Sequence, residues 1–296
     1  MGAYVIWGLF PLYWKELQHV PALQLLSHRI FWSCLILVGF LLVTGQLKTF
    51  RAAALPLAMV RIYSAAALLI GFNWLIYVWA VNAGFIIEAS LGYFINPLLS
   101  VLLGVIFLRE RLRPLQWIPI GLAAIGVLYL TFSYGKLPWI ALTLALSFGL
   151  YGLVKKAAPL GSLYGLTLET GLLFFPALLF LVYSDQVGKG AFLHTGVGSD
   201  ILLIGAGLMT TVPLLMFASA VRRIPLSLAG ILQYITPTLQ FLCGVLIYRE
   251  PFTSAQLIGF GIVWSALIIF VMEGFLTLRR PVVVHQTQKG RNRIMD

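Results

Sequence analysis

Charge is scarce in this 296-residue chain: Asp, Glu, Lys and Arg together make up 10% of it, against about a quarter in an ordinary soluble domain. With 60% of residues hydrophobic, there is too little polar side chain to coat a water-facing surface, and most of the chain is matched to lipid. Cysteine is nearly absent. Cys34 and Cys243 both lie in apolar runs far apart, which leaves nothing from which to build a disulfide framework or a metal cluster. No His-Glu-x-x-His, Gly-x-Ser-x-Gly or Gly-x-x-x-x-Gly-Lys pattern occurs, so zinc hydrolysis, a nucleophile elbow, ATP hydrolysis and a dinucleotide cofactor all lack a signature. The acidic residues number nine and are scattered, whereas a membrane-embedded transferase needs catalytic groups gathered at one surface. The expectation is no enzyme, no cofactor and no metal.

What the chain does have is apolar runs. A helix rises about 1.5 Å per residue and the bilayer core is about 30 Å thick, so a span takes about 20 apolar residues. Ten runs fit, at about 2 to 17, 22 to 44, 62 to 81, 85 to 107, 116 to 134, 138 to 154, 163 to 184, 201 to 221, 226 to 248 and 255 to 275. None alternates as a membrane barrel strand does, so the predicted fold is an all-α integral membrane bundle. The first run is short, as a start truncated at its inner end would be. It also lacks the basic stretch and small-residue cleavage site of a removed signal peptide. Residues 279–296 are polar and basic, and read as a cytoplasmic tail at the membrane surface.

The formal net charge of +11 invites a nucleic-acid reading, but the basic residues recur between runs instead of forming one patch. Lys and Arg are retained on the cytoplasmic side. With the amino terminus inside, inner segments hold Lys48, Arg51, Arg61, Arg109, Arg111, Arg113, Lys155, Lys156, Arg222, Arg223 and the five basic tail residues. Outer segments hold Lys15, Lys136, Lys189 and Arg249. Both termini are therefore expected in the cytoplasm, with the bilayer as partner and no nucleic acid.

Sliding the chain against itself by 140 residues pairs Lys15 with Lys155, Leu68 with Leu208, Pro97 with Pro237, Gly104-Val105 with Gly244-Val245, Arg109-Glu110 with Arg249-Glu250, and Gln116 with Gln256. One ungapped register serves the whole chain. The predicted organisation is 1–137 as a first five-helix repeat and 138–278 as a second. An odd number of spans makes the second enter the membrane from the opposite side. Such inverted repeats give two near-equivalent arrangements around a site close to the midplane.

The segments Glu88-Ala-Ser-Leu-Gly-Tyr-Phe-Ile-Asn-Pro97, Gly-Val-Ile-Phe-Leu-Arg-Glu-Arg111, Ser-His-Arg29, Phe-Asn-Trp74 and Gln-Tyr-Ile-Thr-Pro237 resemble the RarD branch of the EamA-type drug/metabolite transporter superfamily, over about residues 3 to 280. The resemblance implies ten helices in two inverted repeats, an inner-membrane location, and alternating-access export of small organic molecules. A chloramphenicol-type compound or an amino-acid-like molecule would be the cargo. It does not establish the substrate. The short amino terminus departs from the family pattern.

Ionisable groups inside spans are costly and hence functional candidates. Arg29, with His28 beside it, lies about two turns from the outer end of the second run, and Glu88 about one turn inside the outer end of the fourth. An Arg29–Glu88 gating pair is expected; if the two do not meet, Arg29 becomes a contact for an anionic substrate. His28 could exchange protons near neutral pH. Glu169, the 140-residue counterpart of Arg29, is a gating or proton-coupling candidate, with Lys155 and Lys156 as counter-charges by depth. Pro97 and Pro237 are expected to kink the fourth and ninth helices near the midplane and free backbone carbonyls there. Around them Asn73, Trp74, Tyr93, Asn96, Gln233, Tyr234 and Thr236 supply amide, hydroxyl and aromatic contacts for a small, partly apolar substrate. Trp14, Trp79, Trp117 and Trp139 lie near run ends and read as interfacial anchors. A passive channel and a membrane-embedded transferase are the competing functions. Oligomeric state is not legible.

Overall fold

In the computed structural model the described residues are 1–83, 85–133, 135, 137–249 and 253–278, without the side chains at 81, 82, 86–88, 90, 256 and 274–278. The expectations placed on Lys136, on Glu250 and on the basic tail fall outside them. Every regular element among the described residues is helical: α1 (Gly2–Gly8), α2 (Phe10–Lys15), α3 (Ala22–Val43), α4 (Leu47–Ala54), α5 (Leu57–Asn82), α6 (Ile86–Phe107), α7 (Trp117–Ser133), α8 (Trp139–Ala157), α9 (Ser162–Gln186), α10 (Val197–Val221), α11 (Leu226–Leu232), α12 (Ile235–Leu242) and α13 (Ser254–Leu278). Starts are set by residues that end the preceding segment: Pro21, Pro138 and Pro225 stand just before α3, α8 and α11, and Gly196, at φ 108°, just before α10.

Seven helical stretches among the described residues are long and apolar enough to cross a membrane: Ala22–Val43, Leu57–Ala80, Pro114–Ser133, Trp139–Ala157, Ser162–Gln186, Val197–Val221 and Leu226–Ile247. Leu91–Phe107 and Leu257–Glu273 are shorter apolar stretches. The bundle is inside-out relative to a soluble protein. Leu68, Phe132, Phe175, Leu179 and Leu246 are exposed, whereas Lys155 and Glu169 are 2% and 1% exposed. An apolar exterior of this extent requires lipid.

Some boundaries differ from those read in the sequence. The segment between the second and third runs is not plain loop: α4 buries Phe50 and Ala54 and leaves Lys48 and Arg51 exposed, an amphipathic helix of about two turns, too short to register as a span. α5 begins at Leu57, carrying Arg61 in its exposed first turns. The first run is broken at Leu9. Pro11 cannot donate to the Trp7 carbonyl one turn earlier, and Gln240 Nε2 donates to it instead at 3.2 Å. The ninth run is broken at Gln233 and Tyr234, one turn before Pro237, where the Thr236 N–H takes up the Gln233 carbonyl at 3.0 Å. α6, by contrast, continues through Pro97 as one helix.

Packing respects the 140-residue register. α3 packs on α10 and its counterpart α9 on α5; α6 packs on α8 and its counterpart α12 on α1; α5 packs on α8 and α10 on α1. Corresponding helices also meet each other, α3 with α9, α6 with α11 and α7 with α13. The backbone repeats in detail. Arg109 and Arg249 are both left-handed at φ 53°, a conformation uncommon for a bulky residue. After Arg109 the Glu110 N–H returns to the Gly104 carbonyl at 3.1 Å, closing the end of α6.

Hydrogen bonds identify the two ends of the bundle. One end carries Glu110 with Ser227, Arg222 with the Ala158 carbonyl, and Tyr63 with Leu160. The other joins Gln24 to Ala191, His19 to Ser199 and Tyr13 to the Leu202 carbonyl.

Candidate functional site

Between the two halves lies a cavity of about 380 Å³, within the size range of small-molecule sites. Each wall is a helical face read at i, i+3, i+4 and i+7 spacing. α1–α2 give Trp7, Phe10, Pro11 and Trp14; α5 gives Asn73, Trp74 and Tyr77; α6 gives Ala89, Gly92, Tyr93 and Asn96; α11–α12 and the break between them give Gln233, Thr236 and Gln240. Arg29 enters from α3, Leu144 and Phe148 from α8, Thr210 and Leu214 from α10. Two close helix approaches bring these walls together. A side chain at Gly230 would come within 2.7 Å of the Pro97 carbonyl, and one at Gly92 within 3.2 Å of the Ala141 carbonyl.

Asn73 donates through Nδ2 to the Leu144 carbonyl at 2.8 Å and to Ser147 Oγ at 2.9 Å, fixing the amide against α8. Asn96 is buried and its Oδ1 has no hydrogen-bond partner among the described residues. Thr236 lines the cavity but its hydroxyl is engaged, donating to the Tyr4 carbonyl at 3.0 Å. Tyr77 and Tyr93 stand edge to face at 5.9 Å. Arg29 donates from Nε to Thr210 Oγ1 at 2.9 Å, and its guanidinium carbon lies 5.0 Å from the ring centroids of both Trp14 and Trp74. Among the described residues no carboxylate lies within ion-pairing distance of it. The expected partner, Glu88, has a side chain outside the described residues.

Of the residues singled out in the sequence, Arg29, Asn73, Trp74, Tyr93, Asn96, Gln233 and Thr236 come together in this cavity. Tyr234 does not. Successive helical residues point about 100° apart, and Tyr234 is buried in the core cluster that also holds Phe94, Phe260, Ala123 and Val263. His28 is buried beside Arg29 on the far face of α3, its ring 5.4 Å from that of Phe192. Trp79, Trp117 and Trp139 are exposed on the bundle surface, in keeping with interfacial anchors, but Trp14 faces the cavity and contacts Arg29.

Toward the Glu110 end the cavity stops at packed rings. Trp7 lies 5.6 Å from Phe217 and 5.9 Å from Phe148; Phe148 lies 5.3 Å from Phe217; Tyr4 and Tyr151 each lie 6.3 Å from Phe217. Beyond them Lys155 Nζ meets Glu169 Oε1 at 2.7 Å, and the Tyr151 hydroxyl donates to Oε2 at 3.1 Å. Glu169 thus belongs to the closed end and not to the cavity wall. Lys156 turns the other way, donating to the Ile224 carbonyl at 2.6 Å and the Val221 carbonyl at 3.1 Å, and lies 3.7 Å from Glu110.

Glu110 is the participant that sequence reasoning missed. Its carboxylate accepts the Leu226 N–H at 2.6 Å, the Ser227 N–H at 2.9 Å and the Ser227 hydroxyl at 2.7 Å, so a residue of the first half caps the start of α11 in the second. Burial alone raises its pKa, but these donors, with Lys156, outweigh burial and hold it below the usual carboxylate value. The repeated Arg-Glu pair signalled the position; it was legible only as evidence of duplication.

The chain matches the EamA-like transporter family model twice, over residues 1–132 and 137–272. The chain belongs to the EamA-like transporter family. Similar proteins include "Uncharacterized transporter YojE" of Bacillus subtilis (strain 168), 46% identical over 92% of this chain and 91% of that one. "Protein RarD" of Escherichia coli (strain K12) is 41% identical over 95% of both. "Chloramphenicol-sensitive protein RarD" of Pseudomonas aeruginosa is 31% identical over 95% of this chain and 94% of that one. A solved crystal structure shares the fold, with a TM-score of 0.67 at 18% identity, over 92% of this chain and 95% of that one. The family is one of transporters, and the Bacillus subtilis relative is named as one. In EamA-like terms the cavity is shared by both matched segments: Arg29, Asn73, Tyr93 and Asn96 come from the first, Phe148, Thr210, Gln233 and Gln240 from the second.

Proposed function

We propose that this protein is a secondary transporter that exports a small amphipathic metabolite or drug by alternating access. The observation that carries the proposal is a cavity of about 380 Å³ walled by both halves of the chain, with packed aromatic rings and a buried ion pair at one end. A carrier needs a site that is never open at both ends, and a channel needs the opposite.

In this reading the ten spans are α1–α2, α3, α5, α6, α7, α8, α9, α10, the broken helix from α11 to Ile247, and α13, in two inverted repeats over 1–137 and 138–278. The exchange-symmetric packing and the matched left-handed Arg109 and Arg249 support it. Basic residues gather at the Glu110 end, which retention of Lys and Arg assigns to the cytoplasm of an inner-membrane protein with both termini inside. The cavity, reaching Trp14 and Ala89 at the other end, is then the outward-facing site.

Counterflow in proteoliposomes tests this. Uptake of labelled test compound that accelerates when unlabelled compound is loaded inside indicates a carrier. Flux linear in concentration, without acceleration by the unlabelled compound, indicates a channel.

A further inference from the structure

Arg29 is the only described charged side chain lining the cavity, and the surrounding groups position it without neutralising it. Thr210 has a single hydroxyl proton, already given to the Ala206 carbonyl at 2.8 Å, so toward Arg29 Nε it can only accept. That bond uses one edge of the guanidinium. The ring centroids of Trp14 and Trp74 each lie 5.0 Å from its guanidinium carbon, within cation–π range. Among the described residues nothing bonds Nη1 and Nη2, whose parallel N–H groups match the two oxygens of a carboxylate. A cation at this depth whose partners among the described residues are one hydroxyl and aromatic rings is costly to keep, unless an anion completes it during the working cycle.

The rest of the wall reads the remainder of such a molecule. Trp7, Phe148 and Tyr93 present aromatic surface, while Asn96 and Gln233 offer neutral amides. No acidic side chain among the described lining residues stands ready for an ammonium group. From this we infer that the cargo is an organic monoanion, a carboxylate on an apolar or aromatic body, which places its carboxylate end-on against Arg29. This rests on the transport reading above and narrows it, separating an anionic cargo from a neutral amphiphile and from a zwitterionic amino acid.

The test uses purified full-length protein and matched probes: 3-phenylpropionate, its neutral amide, and phenylalanine, together with the corresponding indole series. Binding is read by quenching of tryptophan fluorescence and by calorimetry. The expected result is that the carboxylates bind about 10- to 100-fold more tightly than their amides and more tightly than the amino acids. Arg29→Gln should abolish that preference, bringing the ratio of acid to amide affinity down to about one. Thr210→Val, which removes the acceptor that orients Arg29, should reduce the ratio of acid to amide affinity. The wild-type comparison stands even if Arg29→Gln fails to fold. Equal binding of acid and amide, tighter binding of the amino acid, or no binding of any carboxylate overturns the substrate class. Failure of the transport reading appears differently: the carboxylate preference and its Arg29 dependence would be present, but labelled 3-phenylpropionate would show no counterflow.

Discussion

The carboxylate of Glu110 accepts both the backbone N–H of Ser227, at 2.9 Å, and its hydroxyl, at 2.7 Å, and this contact ties the end of α6 to the start of α11 across the two halves of the chain. Gly104 leaves the space for it: a side chain there would come within 2.6 Å of Glu110 Oε2. Removing the cap leaves the Leu226 and Ser227 N–H groups without their acceptor and releases Lys156 from its nearby charge. Glu110→Ala is expected to lower stability by about 1–3 kcal/mol, measured by thermal unfolding in detergent.

The same contact sets a pH dependence. The folded-state pKa of Glu110 lies below its usual value, so its contribution is complete above that usual value and is lost as pH falls through the folded value. The difference in unfolding temperature between wild type and Glu110→Gln should be flat from about pH 8 to about pH 6 and shrink below about pH 4.5. A difference that grows on acidification would mean that the ionised carboxylate is not what caps α11.

Lys155 and Glu169 form a buried pair. Glu169→Gln alone leaves Lys155 as an uncompensated charge and should cost about 3–5 kcal/mol, whereas Lys155→Met with Glu169→Gln should cost less than either single change. A double-mutant cycle read in both unfolding temperature and counterflow separates two roles. Recovery of folding without recovery of transport marks a pair that opens in the cycle; recovery of both marks a static tie.

Asn96→Ala and Gln233→Ala should each weaken binding of the best probe about 2- to 13-fold, the worth of one hydrogen bond, with detergent-extracted yield near wild type. Loss of yield in place of affinity would make these amides interhelical ties.

Side chains whose polarity is out of place in an apolar run were legible from sequence alone. Asn96 and Gln233 stand near a proline and Asn73 at matching depth, and all three line the cavity. Depth does not fix facing, which is why Tyr234, adjacent to Gln233, was placed in the cavity when its ring belongs to the core. Trp14 illustrates the converse. An indole near a run end reads as a membrane anchor, and only the packing of α2 against the other helices shows that it meets Arg29. Arginine has no preference for the left-handed conformation that Arg109 adopts, and that conformation accompanies the bond from the Glu110 N–H back to the Gly104 carbonyl at the end of α6.

Orientation is tested by labelling in intact cells. A cysteine at Lys189, exposed at the end opposite Glu110, should react with a membrane-impermeant maleimide, and one at Arg111 only after permeabilisation. Reaction of Arg111 alone would reverse the assignment.

Alternation of access is tested most directly by distances across the two ends measured together. In a background with Cys34→Ala and Cys243→Ala, spin labels at Arg111 and Arg223 report the Glu110 end, and labels at Glu16 and Phe85 report the other; all four positions are exposed. Adding Glu110→Ala should produce a longer-distance population between 111 and 223 and, in equal proportion, a shorter one between 16 and 85. Lengthening at both ends, or a change at the Glu110 end with none at the other, would contradict alternating access.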